Sequence, residues 1–425
     1  MNIRGQRKTY FSSFGSREIV EEEMVDDTSK GDLPMRSIGA RRFFLLLLAV
    51  LVLVYPILDP ILFSYGTGGR LASLGDAGFY VILALGLNIV VGFAGLLDLG
   101  YVAFFAIGAY TWGLVGSQQL FYLFNLPPLS PAIMAWIFWP MLLAAALMAA
   151  LWGFILGTPT LRLKGDYLAI VTLGFGEIVP IVFQEMDKVT NGINGLDGVA
   201  SPAFPGIQWS VITPLPYYYL IVALIVLTIF ANIRLRDSRL GRAWIAVRED
   251  EVAASFAGIN LANTKLLAFA AGAFFSGIAG AYHAAKLGLV TPDDFNFSDS
   301  IIYLSMVVIG GIGSIPGVIV GALGVYAISQ FVLGQLDAFS ADPANIMYSV
   351  HNAITHVIPG FNFGDIRNLV FGILLVTVMI VRPEGIIPSA RRRRELRAFR
   401  EKIPEAEREY KNVSIHPLDD APAKE

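Results

Sequence analysis

Long apolar runs dominate the pattern between residues 43 and 382; neither alternation nor narrow amphipathic stripes do. A helix needs about 20 mostly apolar residues to cross a bilayer, and Phe43–Phe63, opened by Arg41 and Arg42, meets that length. Further runs are Gly75–Gly92, Ala94–Gly116, Pro131–Gly157, Asp166–Phe183, Tyr217–Ile233, Lys265–Leu287, Ser298–Gly311, Gly317–Leu333 and Asn368–Val381. The pattern predicts an all-α fold: a polytopic membrane helix bundle of about ten transmembrane helices with broken, glycine-rich segments. The runs meeting at Phe93 and near Pro316 are joined by very short glycine-rich turns. A lead of mixed charge before Phe43 is too long for an ordinary signal peptide, so the first run reads as a retained helix.

Composition agrees with lipid. Of 425 residues 55% are hydrophobic and 15% charged, where a soluble chain carries roughly 25% charged. Residues 1–42 hold 8 basic and 7 acidic side chains and residues 383–425 hold 10 and 9, which leaves 31 of the 65 charges for the 340 residues between. Three regions follow: a cytoplasmic, disordered extension over 1–42, a transmembrane domain over 43–382 and a cytoplasmic basic tail over 383–425. Basic residues favour the cytoplasmic side. With both termini inside, 27 of the 31 lie in cytoplasmic segments or at their edge, the exceptions being Arg70, Lys188, Lys286 and Arg367. The tail's Arg391–Arg394 run suits anionic lipid headgroups, or is a solvated tail that fixes topology.

Glycines and serines cluster in patches, Gly272, Ser276, Gly277 and Gly280 in one, Gly310, Gly311, Gly313, Gly317, Gly321 and Gly324 in another. Small residues let membrane helices approach closely. An internal echo pairs Val91-Gly92-Phe93-Ala94-Gly95 followed by Gly108-Ala109-Tyr110 with Ile309-Gly310-Gly311-Ile312-Gly313 followed by Gly324-Val325-Tyr326; it is either a duplication or the coincidence that glycine-rich membrane sequence readily produces.

Polar side chains within lipid are costly and point to function. Asn88, Thr172 and Glu177 are the candidate pathway residues, Glu177 standing where Gly174, Gly176 and Pro180 are expected to break the helix. Glu177 has a structural alternative, a hydrogen-bonded bridge between two helices, and Asn88 has a structural reading as well. Asp98 falls near a membrane end, and the Asn191–Gly198 segment is an outer turn-rich loop, either plain surface or a docking or access loop.

Between Ile233 and Lys265 lies the one sizeable internal cytoplasmic segment. Asp250 can cap a two-turn helix from Glu251, and Gly258 suits the left-handed stop that ends it. Val252 and Phe256 share a face. So short a helix needs cover, from a partner's groove or from its own bundle. No Gly-Lys dipeptide occurs, so the chain has no phosphate-binding G-x-x-x-x-G-K-[ST] loop. No paired catalytic carboxylates, nucleophile–histidine pair or dinucleotide fingerprint stands out, so catalytic residues and cofactors are expected to be none. Zero cysteines and four histidines, the closest pair being His351 and His356, leave no metal site. Without a basic domain, nucleic acid is not an expected partner.

Gly165-Asp166-Tyr167-Leu168-Ala169-Ile170-Val171-Thr172-Leu173-Gly174-Phe175-Gly176-Glu177-Ile178 resembles a signature of the LivM-type permeases of bacterial branched-chain amino-acid ABC importers. Leu85-Gly86-Leu87-Asn88, Gly108-Ala109-Tyr110 and Gly310-Gly311-Ile312-Gly313-Ser314 are similar too. The likeness runs from about Ala77 to Pro388; Pro180 departs from it, since many relatives carry arginine there. Gly241-Arg242-Ala243-Trp244 with Arg248-Glu249-Asp250-Glu251 resembles the permease loop that docks on the ATPase, which implies docking roles for Gly241, Arg242, Arg248, Glu249, Glu251, Ala254 and Gly258. The resemblance further implies a second permease subunit, two ATPase subunits, a periplasmic solute-binding protein and a place in the bacterial inner membrane.

The expected function is half of an importer pathway for branched-chain or other apolar amino acids, driven by ATP hydrolysis in a partner. A permease for urea or short amides is the alternative within the class. A proton-coupled secondary transporter using Glu177 is the alternative outside it.

Overall fold

The computed structural model describes residues 52–59, 67–160, 163, 166–204, 209, 214–329 and a few positions between 372 and 387. The expected 1–42 extension, most of the first and last spans, His351, His356, Arg367 and the arginine run lie outside the described residues. The chain divides into residues 1–55 and 56–425, and every element numbered below belongs to the second unit.

Besides the short helices Gln119–Leu123 and Asp187–Thr190 and a helical stretch over 52–59, the helices of the described residues are, in chain order, α1 (Thr67–Leu87), α2 (Tyr101–Gly116), α3 (Pro131–Thr160), α4 (Asp166–Glu185), α5 (Leu215–Asp237), α6 (Arg239–Glu249), α7 (Glu251–Phe256), α8 (Leu261–Leu287), α9 (Phe297–Gly310) and α10 (Ile315–Ala327). Among the described residues, five segments are long and apolar enough to cross a membrane: Arg70–Phe93, Pro131–Pro159, Tyr167–Glu185, Leu215–Asp237 and Leu261–Leu287. Shorter apolar helices, α2 and α10, correspond to two further expected spans.

The centre of the bundle is α1, α2 and α8, whose side chains are buried on nearly every side. They approach through small residues. A Cβ on Gly108 of α2 would lie 2.5 Å from Gly277 Cα of α8, and one on Gly277 would lie 2.6 Å from the Ala145 carbonyl of α3. The second glycine patch likewise brings α9 and α10 together, Gly310 facing Gly317 and Gly321. Helices α3, α4 and α5 leave most of their apolar surface exposed, as lipid-facing or partner-facing helices do.

The junction after α1 differs from the expected turn at Phe93. The helix continues as a π-helical turn over Asn88–Phe93, and a seven-residue link, Ala94–Gly100, precedes α2. Gly95 takes φ +71°, open to glycine and costly to other residues. Irregular backbone is tolerated in a membrane bundle only where other groups satisfy it. Here Leu96 N–H donates to the Val90 carbonyl at 3.0 Å, Leu99 N–H to Thr172 Oγ1 at 3.0 Å and Gly100 N–H to Asp98 Oδ1 at 2.9 Å.

The expected break beside Glu177 is not there: α4 runs unbroken through Gly174, Gly176 and Pro180. A proline ring presses on the carbonyl four residues back, which here belongs to Gly176, a residue without a side chain to add to the crowding.

Two of the basic residues that the charge rule left outside are matched by acids. Arg70 Nε pairs with the buried Asp59 at 3.0 Å. Lys286 Nζ, itself buried, donates to Asp76 Oδ1 at 2.5 Å and to the Ala72 carbonyl at 2.9 Å. Lys188 is exposed.

Candidate functional site

Two regions of the fold carry the sequence-derived candidates, and contacts join them. The first is the α5–α8 loop. Ser238 caps α6 by accepting from Gly241 N–H at 3.1 Å, and Gly241 has no room for a side chain because a Cβ there would strike the Leu235 and Arg236 carbonyls. Trp244, fully buried, donates its indole N–H to the Thr264 carbonyl at 2.8 Å and ties α6 to the start of α8.

Asp250 then caps α7 as expected, Oδ1 accepting from Val252 N–H at 2.8 Å and Ala253 N–H at 3.0 Å. Gly258, at φ +85°, supplies the left-handed stop, and Ile259 N–H closes on the Ala254 carbonyl at 3.1 Å. One face of this short helix points inward: Ala254 is buried and Glu251 pairs with Lys265 at 2.7 Å. The other face is bare. Phe256 is 88% exposed and Val252 57% exposed, next to exposed Arg242 and Glu249. A large aromatic side chain that its own bundle leaves uncovered marks an interaction surface.

Arg248 does not join that outer face. Its side chain turns inward and Nη1 donates to the carbonyl of Gly92, the last residue but one of the π segment. Beside that contact, Gly313 N–H donates to Asn88 Oδ1 at 2.9 Å. A Cβ on Gly313 would lie 3.2 Å from the Gly92 carbonyl and 3.3 Å from Arg248 Nη1, and one on Gly95 would lie 2.5 Å from Arg248 Cγ. The two echoed stretches of sequence are therefore neighbours, with Arg248 between them. Asn88, fully buried, is part of this junction.

The second region is α4. Thr172 is buried, accepting from Leu99 N–H and donating to the Ala169 carbonyl at 3.1 Å, so it holds the link to the helix. Gly176 lies one turn on, against Gly100 Cα. Glu177 points the other way, exposed on the same face as Ile170, Ile178 and Ile181. The three pathway candidates thus separate: Asn88 and Thr172 bind backbone inside the bundle, while Glu177 stands on an open apolar face. The link also brings in Asp98, which is buried with Oδ2 unpartnered beside a recess lined by Phe104, Leu156, Phe175 and Phe269. Asp98 thus lies between the spanning helices, held by Gly100 N–H on Oδ1.

The Asn191–Gly198 loop is ordered by pairing. Leu196 and Asp197 (β1) pair antiparallel with Leu289 and Val290 (β2), Asn191 Nδ2 donates to the Gly195 carbonyl at 3.0 Å, and Ile193 projects to the surface.

Sequence reading passed over the Arg248–Gly92–Gly313 contact and the burial of Asp98. The echo carried a signal for the first, since both stretches face one residue; nothing local in the sequence announced the second.

A family model described as a branched-chain amino acid transport system permease component matches residues 69–379. The chain is 37% identical over 372 residues to the high-affinity branched-chain amino acid transport system permease protein LivM of Escherichia coli K12, covering 83% of this chain and 76% of that one. It is 36% identical over 340 residues to LivM of Salmonella typhimurium LT2, covering 75% and 70%. The permease protein LivH of the same Salmonella strain is 26% identical over 326 residues, covering 72% of this chain and 91% of its own. No solved structure matches this chain.

Proposed function

The chain belongs to the branched-chain amino acid transport permease family, and from that membership we propose that partner ATPases drive it through α7. It is a multi-pass membrane permease subunit of a branched-chain amino acid importer, a multi-subunit system with another permease. The single observation that carries the drive mechanism is the capped helix α7, seated on the bundle by Ala254 and the Glu251–Lys265 pair yet presenting Val252 and Phe256 bare. A groove on an ATPase subunit would receive those two side chains, a helix-in-groove contact. Glu251 and Ala254 face inward, so they set the helix's seat and do not make the contact.

On the α4 face, an exposed carboxylate in hydrocarbon is costly, so Glu177 faces the second permease across a water-containing pathway. Closure of the ATPases around α7 rocks the bundle and alternates access to that pathway. A periplasmic binding protein docks outside near Asn191–Gly198, and both termini lie in the cytoplasm.

The test is uptake into vesicles that hold the whole complex. ATP-dependent accumulation of labelled leucine, isoleucine or valine is expected, abolished by F256D together with loss of the co-purifying ATPase subunits. Uptake by this chain alone on a proton gradient, without ATP, would overturn the reading in favour of the secondary transporter. Accumulation of urea or short amides in place of leucine would correct the solute and leave the drive standing.

A further inference from the structure

We propose that Arg248 is the strut that transmits movement of the docking helix into the bundle, acting as a positioning residue on a junction of helix ends. The proposal rests on the docking reading of α7. The last carbonyls of a helix lack partners within it and carry partial negative charge, so a guanidinium there is held by charge and by hydrogen bonding together. Arg248 supplies that to Gly92 at the end of the α1–π segment. A charge-assisted bond of this kind is roughly twice as strong as a neutral one.

Several helix ends meet at the same place. Gly313, in the turn between α9 and α10, is pinned to Asn88. The α9 carbonyls Ile309 and Gly310 accept from Ile386 N–H at 2.9 Å and Ile387 N–H at 3.1 Å. The π segment continues into the link, and the link is bound to α4 at Thr172, one and a half turns before Glu177. A push on α7 therefore reaches α6 through the single joining residue Asp250. From α6 it reaches Gly92 through Arg248 and the pathway face through Leu99 and Thr172. Each step in that series is a hydrogen bond or covalent bond between packed elements, and no step crosses an unfilled gap.

Arg248 is also half-buried and faces away from Phe256's side of the loop. A residue that only helped to bind the ATPase would not be placed with its charged head on the permease's own backbone.

The experiment compares Arg248 variants with a docking variant in the reconstituted complex. For R248A and R248Q the ATPase subunits are expected to co-purify as with the unaltered chain, while leucine imported per ATP hydrolysed falls at least about fivefold, the low end of ordinary coupling between sites. R248K, which keeps the charge but not the planar fork, should restore part of the ratio. F256D should instead lose the ATPases.

If R248A does not fold, N88A removes the other bolt of the junction and should lower the same ratio with the ATPases still bound. Where both variants fold, the double variant N88A/R248A should be no worse than the poorer single one, as expected for residues in one unit. An unchanged import-to-hydrolysis ratio in R248A, with F256D losing the ATPases, would overturn the strut and leave docking intact. Retention of the ATPases and of transport in F256D would overturn docking itself.

Discussion

At the scale of single residues, the candidates drawn from the sequence were chosen for chemistry, and the structure sorts them by direction. Asn88, Thr172 and Glu177 had one property in common, polarity within an apolar run, and hydropathy cannot tell which side of a helix a side chain leaves from. Asp98 shows what that leaves out. Its carboxyl is sealed in the Ala94–Gly100 link, Oδ1 accepting from Gly100 N–H while Oδ2 is unpartnered. Asparagine at this position can still accept from Gly100 N–H, and alanine cannot. D98A should therefore be less stable than D98N by about 1–3 kcal/mol, the usual cost of leaving a buried donor unpaired. Equal melting temperatures for the two purified variants would show that the Gly100 contact does not hold the link.

At the scale of elements, the legible features were the ones set by local chemistry. Asp250 and Gly258 bracket α7 where a side-chain acceptor and a left-handed glycine are needed, and both signals are plain in the sequence. The small-residue patches were read as close-packing surfaces and are so. The π turn and link are not legible, because Asn88–Gly100 is apolar apart from Asn88 and Asp98 and its non-helical path depends in part on the long-range partners Thr172 and Arg248. The α4 break was misread for the converse reason: Gly176 and Pro180 look like breakers in isolation and fit each other one turn apart. Glycine positions now divide into two groups with opposite expected behaviour. G108A places a Cβ 2.5 Å from Gly277 Cα and should cost about 1–3 kcal/mol by overpacking. G324A, in the interior of α10 with nothing within 4 Å of the added carbon, should gain roughly 0.5–1 kcal/mol from helix preference alone. Thermal unfolding of the purified variants checks both. No loss in G108A would mean that the α2–α8 seam is looser than its backbone contacts imply, and a loss in G324A would mean that Gly324 is packed against a neighbour.

At the scale of the whole molecule, the proposed orientation comes from counting charge, and the fold adds a ruler. Helix α8 joins α7 at one end to β2 at the other, and 27 residues at about 1.5 Å each give roughly 40 Å, more than the ~30 Å hydrocarbon core. Ser255 of α7 and Asn194 of the paired outer loop therefore belong on opposite sides of one membrane, both exposed. Lys286 near the far end of α8 does not contradict the charge rule, because Asp76 and the Ala72 carbonyl satisfy its charge inside the bundle. The chain contains no cysteine, so a single introduced thiol reports without background. In spheroplasts, a membrane-impermeant maleimide should label N194C and spare S255C; in inside-out vesicles the order should reverse. Adding the ATPase subunits to those vesicles should then protect S255C, one residue from Phe256, while N194C is unaffected. Labelling of S255C from the outside would invert the orientation. It would also remove α7 from the reach of any cytoplasmic ATPase, so the drive mechanism and the topology stand or fall on the same thiol.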